Sequence, residues 1–508
     1  MNKYGLTEKE QVEILALIKK YPEIDEVILF GSRAMNTFTK ISDIDLALKG
    51  DNISRIIGSL VSDFEDSSLI YEVDVIDYHG ISSEALLEHI RKYGKVFYRK
   101  GWVETMLGEE VEYVNKKISI EEITLDNYVS TENILPDKGG VVKAASLPKV
   151  SKVNAFEVGD TLFSNIRTYF KKVWFSTKRG GASNDVLIFR PIDSERLDKE
   201  YLFRVISNNN FIEYTVVTAK GTKMPRGDKD AIKQYALNLP PLPEQKAIAA
   251  VLSAFDDKIE LLREQNQTLE TLAQTIFKEW FVHFNFPDKD GKPYRDNGGE
   301  MVDSELGKIP KGWRVGQLKE FGKIICGKTP PKSKTEYFGG DIPFIKIPDM
   351  HNQVFIITTS DTLIEQGKES QKLKTIPANS ILVSCIATVG LVGISIKESQ
   401  TNQQINTIVP QYEYYREYLY LDMLRKNKFL NDIGSGGTAT LNVNTGIFSN
   451  IEMIIPEKEL LIEFSKLAKP IFDKMYNNTA QIQTLSKTRD TLLPKLMSGQ
   501  TRVKGFEQ

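Results

Sequence analysis

Apolar positions along this chain change their period several times, and each change marks a boundary. In LTEKEQVEILALIKKYP, near the N-terminus, they recur at three- and four-residue spacing, which predicts a helix. EVILFGS reads as a strand running into a turn, and DIDLALKG and YEVDVIDY read as two further strands. Residues 1–100 are therefore expected to form a small α/β unit. Residues 101–242 are irregular and strand-rich, and 243–284 form one long helical pattern opened by LPPLPEQ. A linker at 285–303 carries the Gly-, Pro- and Asp-rich run FPDKDGKPYRDNGGE. Residues 304–456 are strand-rich again, 457–500 make a second long helix, and 501–508 remain as a tail.

That order is an internal repeat. GWVETMLGEEVEYV at 101–114 corresponds to GWRVGQLKEFGKII at 312–325, and VGDTLFSNIRTYFKKVWFS at 158–176 to PANSILVSCIATVGLVGIS at 377–395. In the first long helix Ile259, Leu262, Asn266, Leu269, Ala273, Ile276 and Trp280 alternate spacings of 3 and 4, the pattern of a coiled-coil seam. Phe472, Met475, Thr479, Ile482, Leu485, Leu492 and Leu496 make a rougher seam in the second. A helix of ~40 residues is ~60 Å long, so two of them suggest an antiparallel spacer. Asn266 within the seam is a candidate for fixing its register.

Composition narrows the picture only a little. A chain of 508 residues exceeds one hydrophobic core, and its 41% hydrophobic and 26% charged residues suit a globular protein. No apolar run has the length of a membrane span and the N-terminus lacks a signal-peptide core, so the expected location is the cytoplasm. Two cysteines and four scattered histidines offer neither a disulfide framework nor a histidine metal centre. A net charge of −2 neither favours nor excludes a nucleic-acid partner, so any basic surface must be local.

The N-terminal unit carries the clearest chemistry. In FGSRAMNTFTKISDIDLAL a Gly-Ser turn follows one strand and Asp-x-Asp lies on the next; YEVDVID adds a third aspartate. Residues i and i+2 of a strand face one side, so Asp43 and Asp45 can share a metal site. Magnesium favours one or two carboxylates together with phosphate oxygens. This layout resembles the minimal nucleotidyltransferases of the polymerase-β-like superfamily. The resemblance implies Asp43, Asp45 and Asp74 as metal ligands and catalytic carboxylates, with Asp74 a shared ligand or the base for the acceptor hydroxyl. It also implies Gly31 and Ser32 at the triphosphate, Arg33 near the phosphates, and Mg2+ with a nucleoside triphosphate as cofactors.

From about residue 101 the chain resembles the specificity subunits of type I restriction–modification enzymes. The resemblance rests on LPPLPEQKAIAAVLSAFDDKIELLREQNQTLETLAQTIFKEWF, LSKTRDTLLPKLMSGQTRV, SELGKIPKGW and TNQQINTI. It implies a multidomain α+β protein: a small α/β nucleotidyltransferase domain, then two mixed α/β target recognition domains separated by two long antiparallel coiled-coil helices. Each recognition domain would read half of a bipartite double-stranded DNA site. Modification (methyltransferase) subunits and restriction (translocase/endonuclease) subunits would be partners, with S-adenosylmethionine and ATP bound only there.

Candidate DNA contacts follow from polar and cationic loops. Arg167, Lys171 and Lys172 are interleaved with Tyr169 and Phe170, while Lys220, Lys223 and Arg226 punctuate a glycine-bearing loop. Lys328, Lys332 and Lys334, with Thr438 and Asn442, offer the equivalent in the second half. Such groups suit phosphate contacts. Gln403, Gln404 and Asn406 have side-chain amides able to pair with adenine. An alternative reading makes the chain primarily a metal-dependent nucleotidyltransferase, acting on a protein or RNA acceptor, with the C-terminal region as its targeting module.

Overall fold

The computed structural model describes residues 3–331, 333–435, 441–503 and 505. The chain divides into two compact units, Met1–Asp256 with Ser486–Gln508, and Asp257–Leu485. The architecture is multidomain α+β, and among the described residues no helix is long and apolar enough to cross a membrane.

The first unit opens with a four-stranded sheet of β1 (Ile24–Phe30), β2 (Ile44–Gly50), β3 (Val73–Asp77) and β4 (Lys95–Arg99), in the order β3-β2-β1-β4. Strand β1 is antiparallel to both neighbours, and β2 runs parallel to β3. Helix α1 (Glu8–Ile18) starts at a capping box in which Thr7 and Glu10 satisfy each other's backbone N–H groups. A four-residue turn of helix, α2 (Gly31–Ala34), follows β1. Ile14 and Ile18 of α1 and Leu60 and Phe64 of α3 (Ile53–Glu65) bury against Val27, Leu29, Leu46 and Leu48 on one sheet face. The alternate residues Ile28, Phe30 and Ala47 face the other way and pack on Ile90 of α4 (Glu84–Tyr93).

The repeat seen in the sequence is a repeat of structure. Val111–Tyr113, Val186–Pro191, Thr161–Ser164 and Val173–Phe175 are neighbours in that order in one sheet of the first unit. Gly322–Cys326, Ile405–Pro410, Ile381–Ser384 and Val392–Ser395 repeat the order in the second unit, where Phe355–Ile356 adds a fifth strand. A two-stranded ribbon closes each module, Val103–Met106 with Ala236–Leu239 and Arg314–Gln317 with Glu452–Ile455. The glycines of both Gly-Trp pairs, Gly101 and Gly312, have left-handed φ values of +80° and +91°. At Gly312 a Cβ would lie 2.3 Å from Glu457 Oε1. That glycine turns the chain where the ribbon meets the following helix, which explains why the pair recurs.

Each ribbon leads into a helix of 40 residues, Leu242–Phe281 and Lys458–Met497. In the first unit Ile248 and Leu252 share a core with Leu493 and Leu496, and Arg489 Nη1 donates to Asp256 Oδ1 at 2.5 Å. In the second unit Asn266 reaches Met475 and Thr479, and Phe281 packs 4.9 Å from Phe464. Within each unit rising numbers on one helix meet falling numbers on the other, so the segments are antiparallel. Ile259, Leu262 and Ala273 are buried as the seam predicts. Beyond them the deep positions are Phe277 and Phe281 rather than Ile276 and Trp280, because the stripe widens where it joins the core of the second module. In the second helix Leu493 likewise lies deeper than Leu492. Within the stretch expected as a linker, Phe286 stacks on Tyr294 and Trp313 at 4.6 and 5.2 Å.

Candidate functional sites

The alternation that buries Ala47 under α4 also points Asp45 to the same face, at the end of β2 next to β1 and β3. Asp45 pairs with Phe30 on one side and with Asp74 on the other. Gly31 turns the chain immediately after β1 with φ +69°, and a Cβ there would lie 2.1 Å from Asp45 Oδ2. Only glycine allows the turn to approach the carboxylate so closely. Asp43 and Asp74 are exposed and Asp45 is half-buried. Burial, then the charges of Asp74 and Asp43, push the Asp45 carboxyl above its ordinary range; Arg33 and His89 pull weakly the other way.

Such mutual repulsion is relieved by a shared cation, so the donor set suits a hard divalent ion. Among the described residues no group of three or more His, Cys, Asp or Glu side chains is gathered tightly enough to hold a metal alone. The remaining ligands would then be phosphate oxygens and water, which is how magnesium is ordinarily held.

Arg33 lies elsewhere than expected. Its side chain is 1% exposed, and its guanidinium donates to the carbonyls of Tyr4 (3.0 Å), Ser42 (2.6 Å) and Asp43 (2.9 Å). It also sits 4.3 Å from the Tyr71 ring centre. Arg33 thus ties down the loop that delivers Asp43, with Nε, Nη1 and Nη2 each donating to a backbone carbonyl. Pattern matching missed this because it locates a residue along the chain and cannot say which way the side chain turns.

The candidate DNA residues divide in the same manner. In the first module the two basic loops meet, since Arg167 N–H donates to the Pro225 carbonyl at 2.8 Å and Ile166 bridges Arg226. Arg226 pairs with Asp185 at 3.1 Å, Lys220 with Asp228 at 2.5 Å, and Lys172 Nζ donates to the Thr131 carbonyl at 2.6 Å. Burial lowers the Lys172 ammonium below its usual range. Lys223 is exposed, Lys171 half-buried with φ +54°, and Tyr169 and Phe170 stand exposed beside them.

In the second module Gln403 accepts from the Thr329 hydroxyl at 2.7 Å, which brings 402–404 against the loop that carries Lys328. A concavity of about 810 Å³ opens there, lined by Thr329, Phe338, Lys346, Asp361, Gln403 and Gln404. Lys328 is exposed, and Lys334 Nζ donates to Tyr337 Oη at 3.0 Å. Asn442 is exposed on a segment that bridges Ile386. Asn406 is the exception: it is 3% exposed, donates to the Val443 carbonyl at 3.2 Å and accepts from Thr445 Oγ1 at 3.1 Å. With both ends of its amide engaged inside the module, it has nothing to offer a base. Lys332 and Thr438 lie outside the described residues.

The repeat also indicates residues that sequence reasoning passed over. Gly180–Ala182 and Val186–Pro191 flank 183–185 as Gln400–Thr401 and Ile405–Pro410 flank 402–404. Asn184 therefore occupies the place of Gln403, and it accepts from Lys117 Nζ at 3.3 Å and from Asn154 Nδ2 at 3.4 Å. Aligning the two halves strand by strand would have found it.

A four-stranded domain with clustered carboxylates, followed by two copies of one module and two long antiparallel helices, defines a duplicated protein with an N-terminal nucleotidyltransferase-type domain. Residues 99–271 and 310–487 match the family described as type I restriction modification DNA specificity domain, and residues 12–101 match polymerase beta, nucleotidyltransferase. The chain belongs to the type I restriction–modification DNA specificity family. It is 35% identical over 458 residues to the type I restriction enzyme HindI specificity subunit of Haemophilus influenzae, covering 78% of this chain and 99% of that one. It is 30% identical to the MjaIX specificity subunit of Methanocaldococcus jannaschii, covering 61% of this chain and 71% of the relative. Among solved structures, it is similar to the type I restriction-modification S subunit from M. genitalium, with a TM-score of 0.49, 14% identity, and coverage of 78% and 96%.

Proposed function

We propose that this chain reads a bipartite double-stranded DNA target for a type I restriction–modification assembly, and that its N-terminal domain is an accessory nucleotidyltransferase. The observation that carries the first part is the duplication: one strand order occurs twice, and each copy ends in a 40-residue helix. Two related modules suit two half-sites on one duplex, and a ~60 Å helix exceeds one DNA turn of ~34 Å. Lys223 and Lys328, exposed, and Arg167 and Lys171, half-buried, carry the charge for phosphate contacts, which position a protein without reading sequence. Gln403 and Gln404 offer amides for base edges. Modification and restriction subunits assemble on this chain, and S-adenosylmethionine and ATP bind to them.

The test is single-molecule methylome sequencing of cells expressing the chain with its modification subunit, against cells lacking the chain. A new methylated motif with two short defined halves and a fixed gap is expected. A formed complex that methylates no new motif would overturn the reading.

The coupling of Asp45 to Asp43 and Asp74 supports the second part. These carboxylates would hold Mg2+, which supplies positive charge at a nucleoside triphosphate. The Gly31 turn lies against the Asp45 carboxylate, and Ser32 follows it in the short helix, where its hydroxyl and backbone N–H would meet the triphosphate. Arg33 keeps the Asp43 loop in place. Asp74, exposed at the edge of the cluster, would be a shared ligand or the base that takes a proton from an acceptor hydroxyl. Label should pass from an α-labelled nucleoside triphosphate to an acceptor in the presence of Mg2+, and Asp43→Asn with Asp45→Asn should abolish it. Transfer that persists in the double variant would refute these roles. Transfer with no effect of the chain on methylation would instead favour the nucleotidyltransferase as the principal activity, with the C-terminal region targeting it.

A further inference from the structure

A second polar cavity adjoins the N-terminal domain, on the sheet face that carries Asp45 but at the opposite end. It holds about 300 Å³ and is lined by Glu26, Lys49, Tyr78 and Arg91 of the domain and by Lys495 and Thr501 of the C-terminal segment, all within one compact unit. Asp45, Ala47 and Lys49 share a face, so Lys49 stands roughly 13 Å along the strand from the carboxylate cluster.

The charges around this cavity do not balance. Among the described residues, Lys49, Arg91 and Lys495 face a single lining carboxylate, Glu26, which already binds Lys49 Nζ at 2.9 Å and also Arg99. Arg91 pairs with Glu84 at 3.0 Å in an exposed contact, which water screens. Arg99, behind Glu26, has a side chain only 4% exposed, and among the described residues its Nε and Nη1 meet no acceptor. Gly499 packs against Arg99 so closely that a Cβ would lie 2.0 Å from Nη1. Burial pulls the Arg99 guanidinium down to about 10 and the Lys49 ammonium below its usual range. Arg99 adds positive charge from behind the wall, while the cations that line the cavity, Lys49, Arg91 and Lys495, are the ones an oxyanion in it can meet.

The geometry points to an anion site between the sheet and the segment that follows the second long helix, one that takes a phosphate group. Three cations suit a multiply charged group with several oxygens, whereas one carboxylate would match one of them. The phosphate belongs either to a free nucleoside polyphosphate or to a nucleic-acid backbone. Because both the domain and the C-terminal segment form the walls, an occupied site holds the two together. The site does not depend on the domain being catalytically active.

The experiment is calorimetric titration of the full chain with inorganic pyrophosphate in EDTA. Without metal the Asp43–Asp45–Asp74 cluster repels the probe, so binding reports on cationic sites. Lys49→Gln and Lys495→Glu should each weaken binding by about tenfold or more, the effect of losing one charge-assisted contact. Lys289→Glu, on the loop after the first long helix, should leave it unchanged. Lys495 is exposed at a helix end, so its variant remains informative even if Lys49→Gln disturbs folding. Displacement of pyrophosphate by ATP would identify the free-nucleotide source, and displacement by a non-target duplex the backbone source. A parent chain that binds no pyrophosphate, or a Lys495→Glu variant that binds like the parent, would overturn the proposal.

Discussion

Replacing Arg33 by methionine tests whether this residue is a phosphate ligand or an internal anchor. The substitution keeps an unbranched side chain of similar reach, and so isolates the loss of the guanidinium. Three carbonyls, those of Tyr4, Ser42 and Asp43, lose their donor. A hydrogen bond to a charged group is worth about 1.5–3 kcal/mol, which sets an upper bound of about 5–9 kcal/mol for three. Ser42 is half-exposed and water can reach part of the loop, so about 3–5 kcal/mol is the reasonable expectation, the range found on breaking a buried charged network. A domain of ~100 residues has only about 5–15 kcal/mol in all. A single melting temperature is ill-defined for a multidomain chain, so the assay is amide hydrogen exchange at Leu46, Ala47 and Leu48 of β2. Protection there should fall by about two orders of magnitude or more, since each 1.4 kcal/mol is a factor of ten. Unchanged protection with a loss of nucleotide binding would refute the anchor and restore Arg33 to the phosphates.

Three further outcomes follow from the same geometry. The Asp45 carboxyl is raised in the fold, so the stability linked to it is full at low pH and is lost as pH rises through its folded value. Asp45→Asn should therefore show greater opening free energy than the parent by amide hydrogen exchange at Leu46 and Leu48 in EDTA at pH 7.5, with the difference closing below about pH 4, where the aspartate is protonated even when unfolded; weaker protection than the parent at pH 7.5 would contradict this. Asn478 is 1% exposed between the long helices and donates to Asn266 Oδ1 at 3.0 Å. Asn478→Leu should lose about 1–3 kcal/mol in urea unfolding by stranding its partner, and adding Asn266→Leu should recover part of that; strictly additive losses would mean the pair is uncoupled. Gln403→Ala should alter the second half of the methylated motif, whereas Asn406→Ala should weaken the module by about 1–3 kcal/mol and leave the motif intact. A motif change from Asn406→Ala would reverse the assignment.

How much of this was legible beforehand can be judged residue by residue. Local pattern was enough for the strands that carry Asp45 and Asp74, because a period of two and a Gly-Ser turn are properties of neighbouring residues. It was enough as well for the duplication and for the long helices, since a repeat and a seam recur along the chain itself. Side-chain direction was a different matter. Arg33 and Asn406 carry suitable groups at suitable positions, yet each is turned inward to carbonyls supplied by distant segments, Tyr4 in one case and Val443 in the other. Sequence spacing holds no record of such contacts.

The sequence alone thus determined the order of the modules, their repetition and the family to which the chain belongs. Tertiary structure decided which polar groups remain available: it spent Arg33 and Asn406 inside the fold and brought Gln403 against Thr329 from a loop far away in the chain. It also set Lys495 beside Lys49 across more than four hundred residues. Periodicity is written by local sterics and burial. Availability depends on which long-range partners satisfy a group once water has been removed, and only the folded chain settles that.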